Sequence, residues 1–514
     1  MRSHSIMTVQ EETPNTPKLP GFEISLSGKG LAHSHQKVEN ARKRLHHFIV
    51  DSKLVTEPCR NEEDTLAYRC SCSFQIIQQD TSSKDEHTSR RMMNYAMRQN
   101  HTPVLLLGDC FPIANVRIQQ TMRDLFDFFN QNHHPTQHLL TGLSSVSFVS
   151  SWSNELDCVV KLNYSQPIES HIHSTASFIQ LAESLRIQAH ISSLLLCSKH
   201  YCFILGNNPP YIRDVLQISV PPLPAYPGDT SHGNIQENQH HTHDDISVHV
   251  VQWNRFDETT TTPTTVTRPT SSSICVYYHK KADAFLHPNR YAMQRALEWI
   301  IQQLYSIIVY NFHYLQQHGP KNTSQNNISL LEMYCGCGAH TMAIAKTGWL
   351  HRIVAVERDE RLIQACIENC KLNQCDISSS TTRTSHVDDT EKKKHLHRIS
   401  CTSVEVIQGC ASEWAKKWKK SYHGPCIDDK DKSCFQILLV DPPRSGLDVH
   451  VRDMMKVGPF EHILYISCGL DALQRDLEDL QHVYDVEQCL VLDLFPRTDS
   501  VETLVYLQRR GRRN

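Results

Sequence analysis

The sequence predicts an α/β chain: a C-terminal doubly wound parallel-sheet domain preceded by an α+β domain. Three observations carry this. Apolar runs at Ser329–Tyr334, Arg352–Val356, Phe435–Val440 and Ile463–Ile466 read as buried strands separated by helical segments. A glycine turn, Cys335–Gly338, directly follows the first of them. Upstream, short β-rich runs alternate with helical ones without any glycine-rich loop.

The elements follow in chain order. Residues 1–20 are rich in Ser, Thr, Pro and Gln, a composition that cannot bury a core. Lys37 to Val50 reads as a basic helix carrying Lys37, Arg42, Lys43 and Arg44, so that 1–49 forms a polar tail and a basic helix. Residues 50–284 form the α+β domain. Its strands are expected at Leu66–Gln79, Val146–Ser150, Cys158–Leu162 and Tyr201–Leu205, its helices at Ile118–Phe129 and Ser174–Leu185. Pro221 to Ser273 reads as an insertion into it, with Pro-Pro-Leu-Pro, a His/Asn/Gln tract and Thr259–Thr262. His240, His241 and His243 have no further ligands at metal spacing nearby, so a solvated loop is the better reading and no metal is expected. Residues 285–514 form the second domain, opening with an amphipathic helix on Met293, Ala296, Leu297, Ile300, Ile301 and Leu304. A second insertion spans about 375–400. Strands follow at Val404–Ile407, Leu490–Phe495 and Thr503–Leu507.

At 514 residues the chain is long enough for two or three domains. A net charge of −3 excludes a global basic field, so nucleic-acid contact would need local patches. The 19 cysteines are odd in number and unpatterned, which predicts free thiols in a reducing compartment. There is no secretory apolar region, and no apolar run approaches 18 residues. Glu11 and Glu12 argue against an acid-poor transit peptide. A cytoplasmic monomer without membrane contact is expected, with nucleus and mitochondrion left open.

Chemistry concentrates where strands end, the place at which open α/β sheets bind ligands. In Leu330–Gly338, Gly336 and Gly338 permit a tight turn and close ligand approach, while Thr341 occupies the third position of a G-x-G-x-x-G pattern. That favours a smaller nucleoside cofactor over a dinucleotide. Glu357 ends the next strand, 19 residues after Gly338, the spacing of an acid that binds ribose hydroxyls. Together these make S-adenosyl-L-methionine the leading cofactor. Asp441 ends a buried strand and is followed by Pro442 and Pro443, which stiffen the turn, and by Arg444, a phosphate or nucleobase ligand. Cys468 stands at the end of Ile463–Ser467, a candidate nucleophile. Glu502 opens the last strand and is a candidate general base. Each residue taken alone has a plainer reading: a core thiol, a solvated carboxylate, an ordinary turn.

Phe285–Asn289, Leu331–Gly338, Asp441–Gly446, Ile463–Leu477 and Phe495–Glu502 resemble the RNA uracil-5-methyltransferases, in particular the bacterial-type tRNA (uracil-5-)-methyltransferases. The resemblance covers 285–507 and extends weakly upstream through Tyr68-Arg69 and Phe111-Pro112. It implies a Rossmann-like class I methyltransferase domain preceded by an RNA-binding domain. It also implies that Cys468 adds to carbon 6 of uracil and that Glu502 removes the carbon-5 proton. His287, Tyr334, Gly336, Glu357 and Asp441 would line the cofactor or uracil pocket. Arg69 and Arg444 would contact RNA, with the T-arm of tRNA as partner. The chain departs from the family at His287 (Gln there), Ala339 (Asn), Gly469-Leu470 (Asn-Pro) and Cys70-Ser71-Cys72 (a second Arg). Cys59, Cys70, Cys72 and Cys110 lack the spacing of the iron–sulfur cluster found in relatives that act on ribosomal RNA, which favours tRNA. Ribosomal RNA methylation and a catalytically weak RNA-binding module are the alternatives. A cytosine-5 enzyme is disfavoured because no cysteine accompanies Asp441-Pro442-Pro443.

Overall fold

The computed structural model describes residues 29–81, 90–99, 102–105, 111–130, 136–152, 156–166, 176–199, 201–221, 272–282, 287–318, 328–379, 402–421 and 435–511. The polar tail before residue 29, most of both insertions and Phe285 lie outside these residues, as does Cys110.

The C-terminal half is built on a nine-stranded sheet. Its elements are α1 (Gly30–Leu45), β1 (Leu54–Glu57), β11 (Ser329–Met333), β12 (Arg352–Glu357), β13 (Asp376–Ser379), β14 (Ser403–Gln408), β15 (Ile437–Val440), β16 (His462–Ser467), β17 (Tyr484–Leu492) and β18 (Glu502–Arg509). The strand order is β1-β17-β18-β16-β15-β11-β12-β14-β13. Only β18 runs antiparallel to its neighbours. The order turns around between β11 and β15, so the sheet is doubly wound and Rossmann-like. Strands buried on both faces, such as Ile437–Val440 and His462–Ser467, account for the unbroken apolar runs in the sequence.

Alternate residues of each strand feed two cores. Leu330, Ile353, Leu439 and Leu464 face α5 (Arg290–His318), α6 (Ala339–Ala345) and α7 (Glu360–Leu372). Leu331, Val354, Leu438 and Ile463 face α1, α8 (Ala411–Ser421), α9 (Val449–Val457) and α10 (Leu470–Leu480). The N-terminal half centres on a seven-stranded sheet, β4-β3-β2-β5-β6-β7-β8. Its strands are β2 (Ser71–Thr81), β3 (Arg90–Gln99), β4 (Thr102–Leu105), β5 (Leu143–Ser150), β6 (Cys158–Tyr164), β7 (Ser193–Cys197) and β8 (Cys202–Gly206). Helices α2 (Val116–Asn130), α3 (Thr136–Leu140) and α4 (Ala176–Gln188) belong to this half, whose core includes Ile118, Met122, Leu139, Ala182 and Leu185.

Several expectations are corrected. The basic helix runs Gly30–Leu45 rather than Lys37 to Val50, and its Lys37 is buried. Strand β1 belongs to the C-terminal sheet, where it pairs with β17. The hairpin of β9 (Tyr211–Val220) and β10 (Ser272–Lys281) also packs on the C-terminal core, through Leu216, Ile218, Val276 and Tyr278. Residues 66–70 precede β2 instead of forming its start. The second insertion overlaps a strand, β13, which pairs with β14. Cys197 and Cys202 form a disulfide across β7 and β8, against the expectation of free thiols throughout. No described helix is long and apolar enough to cross a membrane.

The two halves meet at a buried ion pair. Asp214 of β9 lies 3.0 Å from Lys280 of β10, both side chains almost wholly enclosed. Asp214 also accepts hydrogen bonds from the Ser151 hydroxyl (2.5 Å) and the Trp152 amide (2.9 Å), which follow β5. The Lys280 ammonium donates to the Ser150 carbonyl at 2.5 Å and sits 4.4 Å from the Trp152 ring centre. Removing one partner strands the other charge. Asp214→Ala is therefore expected to cost about 3–5 kcal/mol in denaturant unfolding. A loss below about 1 kcal/mol, the range of a surface pair, would contradict this account.

Candidate active site

Parallel strands end together, and their ends build the site. Tyr334 follows β11, Glu357 closes β12, Asp441 follows β15 and Cys468 follows β16. All four line one cavity of about 720 Å³, with His287, Gly336, His340, Phe495 and Glu502. Glu502 arrives from the opposite direction. Ser467 pairs with Thr503 in the antiparallel β16–β18 ladder, so extending the register by one residue sets Cys468 opposite Glu502. Opposed residues of such a ladder lie about 4.5–5.5 Å apart at Cα and point to the same side.

The glycine loop is shaped by two different needs. Gly336 and Gly338 both have positive φ. A Cβ at Gly338 would overlap Met342 and Cys366, so this glycine answers to packing. A Cβ at Gly336 would meet nothing within 4 Å, because it faces the cavity. The Glu357 carboxylate is aimed beside it by three backbone amides, those of Gly336 (3.0 Å), Arg358 (2.7 Å) and Asp359 (2.9 Å). An open glycine cradle next to an oriented carboxylate fits a nucleoside whose ribose hydroxyls donate to the acid.

Thr341, at the third position of the pattern, donates to buried Glu332 at 2.5 Å. Glu332 lies 3.5 Å from Nδ1 of His340. This pair was not singled out in the sequence, although a lone acid in an otherwise apolar strand is its signal. Burial alone would push His340 down; the hydrogen bond to Glu332 and the charge of Asp441 outweigh it and raise it. Burial pushes Asp441 up to about 6, a shift that His340 opposes and Glu332 adds to. His287 is held down to about 3 by burial, with Arg69 and His340 contributing, so it is a neutral imidazole. Its ring lies 5.1 Å from that of Phe495.

Burial raises the Cys468 thiol to about 11; Glu502 and Asp441 add to the shift and Arg444 opposes it. Glu502, only 6% exposed, is raised well above the usual carboxylate range by burial and by Asp441, again opposed by Arg444. Arg444 itself is exposed, and it is its neighbours Pro443 and Ser445 that line the cavity. Arg69 sits outside the lining, at the seam of the two halves. Its backbone bridges to Ala114 and to Asn289, two residues from His287. A Cβ at Gly469 would overlap the Arg444 carbonyl oxygen. The proline turn and the thiol turn are thus in direct contact.

The family described as tRNA (Uracil-5-)-methyltransferase matches residues 390–510. A tRNA/tmRNA (uracil-C(5))-methyltransferase of Campylobacter lari is 28% identical over 236 residues, 46% of this chain and 55% of that protein. One from Nitratiruptor sp. is 31% identical over 180 residues, 35% of this chain and 42% of that protein. The chain thus spans about half the length of the curated relatives it matches. Among solved structures, Pyrococcus abyssi tRNA (uracil-54, C5)-methyltransferase in complex with S-adenosyl-L-homocysteine is similar at a TM-score of 0.48 and 14% identity, over 96% of this chain and 88% of that one.

A thiol at about 11 is protonated at neutral pH. Its thiolate fraction grows about tenfold per pH unit until that pH is reached. Alkylation of Cys468 by iodoacetamide, mapped by mass spectrometry, is therefore expected to accelerate steadily from pH 7 to pH 10. A plateau at or below pH 9 would mean that the burial and the carboxylates do not act on the thiol.

Proposed function

We propose that this chain methylates carbon 5 of a uridine in RNA, the T-loop uridine of tRNA being the target, with S-adenosyl-L-methionine as methyl donor. One observation carries the reading: a strand-end thiol and a buried carboxylate, each one residue beyond the last rung of the β16–β18 ladder, line the cavity that also holds an open glycine cradle and an oriented acid. The tRNA preference rests on the printed names of the curated relatives. The seven-stranded half is taken as the RNA-binding part, with Arg69 at its seam with the site.

Carbon 5 of uracil is a poor nucleophile until carbon 6 is saturated. The Cys468 sulfur forms a bond to carbon 6, and its proton passes, as that bond forms, to a carboxylate of the cavity, which Asp441 lines with the thiol. Tyr334, Gly336 and Glu357 would hold the cofactor, which supplies an electrophilic methyl group. His287, neutral and half-buried, offers one hydrogen bond to either ligand. Glu502 then takes the carbon-5 proton, a task suited to a carboxylate that burial makes more basic than a solvated one. Loss of that proton expels the Cys468 sulfur from carbon 6 and restores the ring. Arg444, exposed beside the cavity mouth, suits a phosphate.

The test uses purified protein, methyl-labelled cofactor, tRNA and ribosomal RNA, with the modified base mapped. Label is expected at carbon 5 of a tRNA uridine. Cys468→Ala is expected to abolish transfer while RNA binding survives. Glu502→Gln is expected to transfer the methyl group but stall, leaving a labelled protein–RNA adduct on a denaturing gel and turnover lower by about 10²–10⁴-fold. Full turnover by Cys468→Ala, or label confined to ribosomal RNA, would overturn the reading.

A further inference from the structure

Between Leu492, the end of β17, and Glu502, the start of β18, the chain leaves the sheet. Leu494 and Phe495 of this loop line the cavity, and Glu502 follows directly from it. The loop is held from outside its own domain sequence, by helix α1. The Lys37 ammonium donates to the carbonyls of Phe495 (2.8 Å), Thr498 (2.7 Å) and Ser500 (3.0 Å). Asp493 supplies the counter-charge at 2.6 Å. Lys37 is 7% exposed and stands within the apolar stripe of α1, alongside Val38, Ala41 and Leu45.

A buried ammonium is costly, and an apolar residue at this position of the stripe would serve helix packing better. Three carbonyls converging on one point have the opposite need, since their dipoles repel unless a cationic donor stands between them, although the Phe495 carbonyl also accepts from the Thr498 amide (3.2 Å) and hydroxyl (2.8 Å). The charge is therefore matched to the loop and not to the helix. A second brace lies beside it. Arg497, fully buried and at positive φ, pairs with Glu62 and donates to the Thr65 hydroxyl at 3.1 Å. Glu62 also accepts the amides of Gly30 (2.9 Å) and Leu31 (2.7 Å) at the start of α1.

We infer that Lys37 is a positioning residue for Glu502: by gathering the carbonyls of Phe495, Thr498 and Ser500 it sets the entry of β18, and so the carboxylate's reach to the substrate. This rests on the proposed function, which gives Glu502 its task. The N-terminal segment 30–65 thereby becomes part of the catalytic unit rather than an accessory arm.

The experiment compares the full-length wild type, Lys37→Met, Arg42→Ala and Glu502→Gln with tRNA and methyl-labelled cofactor. Arg42 lies on the same helix and pairs at the surface with Glu39 and Asp51, so its variant loosens α1 without touching the loop. Lys37→Met is expected to keep KM for cofactor and tRNA within about threefold, to lower kcat by about 10–100-fold, as for partial loss of a general base, and to accumulate the labelled adduct seen with Glu502→Gln. Arg42→Ala is expected to turn over like wild type. If Lys37→Met does not fold, Lys37→Arg gives the same test: it keeps the charge but spreads its donors over a planar fork, so kcat falls with KM held. Unchanged kcat without adduct in a folded Lys37 variant, or an equal loss in Arg42→Ala, overturns the inference. Absence of adduct in Glu502→Gln itself overturns the assignment of Glu502, and the inference with it; that arm tells the two failures apart.

Discussion

The site depends on one topological fact, the insertion of β18 antiparallel between β16 and β17. In a wholly parallel sheet the residue opening a strand lies at the far edge from the residue following its neighbour. Reversing one strand brings the first residue of β18 to the end of β16. Glu502 thus faces Cys468 although 33 residues separate them in the chain. Glu502 opens a central strand, and Cys468 directly follows the last paired residue of its neighbour, so both are held close to the backbone hydrogen bonds of that ladder.

That placement crowds acids into a small enclosed volume. Asp441 and Glu502 act on the thiol, with Glu332 behind His340, and His340 and Arg444 are the cations that answer them. Burial is the largest cause of the upward shifts of Asp441, Cys468 and Glu502, and like charges reinforce it. The thiol holds its proton at neutral pH, and both carboxyls bind a proton more readily than ordinary solvated ones.

The assembly around it is not a bead of two domains. Strand β1 and helix α1 come from the N-terminal end of the described chain and pack on the C-terminal sheet, as does the β9–β10 hairpin. The Lys280–Asp214 pair and the Lys37 cluster are the polar fasteners of these additions. In each, a buried ammonium donates to backbone carbonyls of another element: Ser150 for Lys280, and Phe495, Thr498 and Ser500 for Lys37.

Local pattern sufficed for much of this. Continuous apolar runs located β11, β12, β15 and β16, because strands buried on both faces need no partner information to be recognised. The small-residue turns after them singled out Gly336, Asp441 and Cys468, since chain reversal at a strand end is a property of a few adjacent residues. What the sequence could not decide was partnership over distance. Lys37 is legible only as one basic residue of a helix because its carbonyl partners are more than 450 residues away. Glu332 reads as a strand residue until Thr341 and His340 fold back on it. Strands β9 and β10 pair across a long low-complexity tract, so their common core was invisible to any local window. Residue type and period therefore determined which groups could act and at which strand ends they stand. Only the tertiary fold, through strand direction and the convergence of distant carbonyls, decided which of them face one another, because those contacts depend on register and burial rather than on neighbours in the chain.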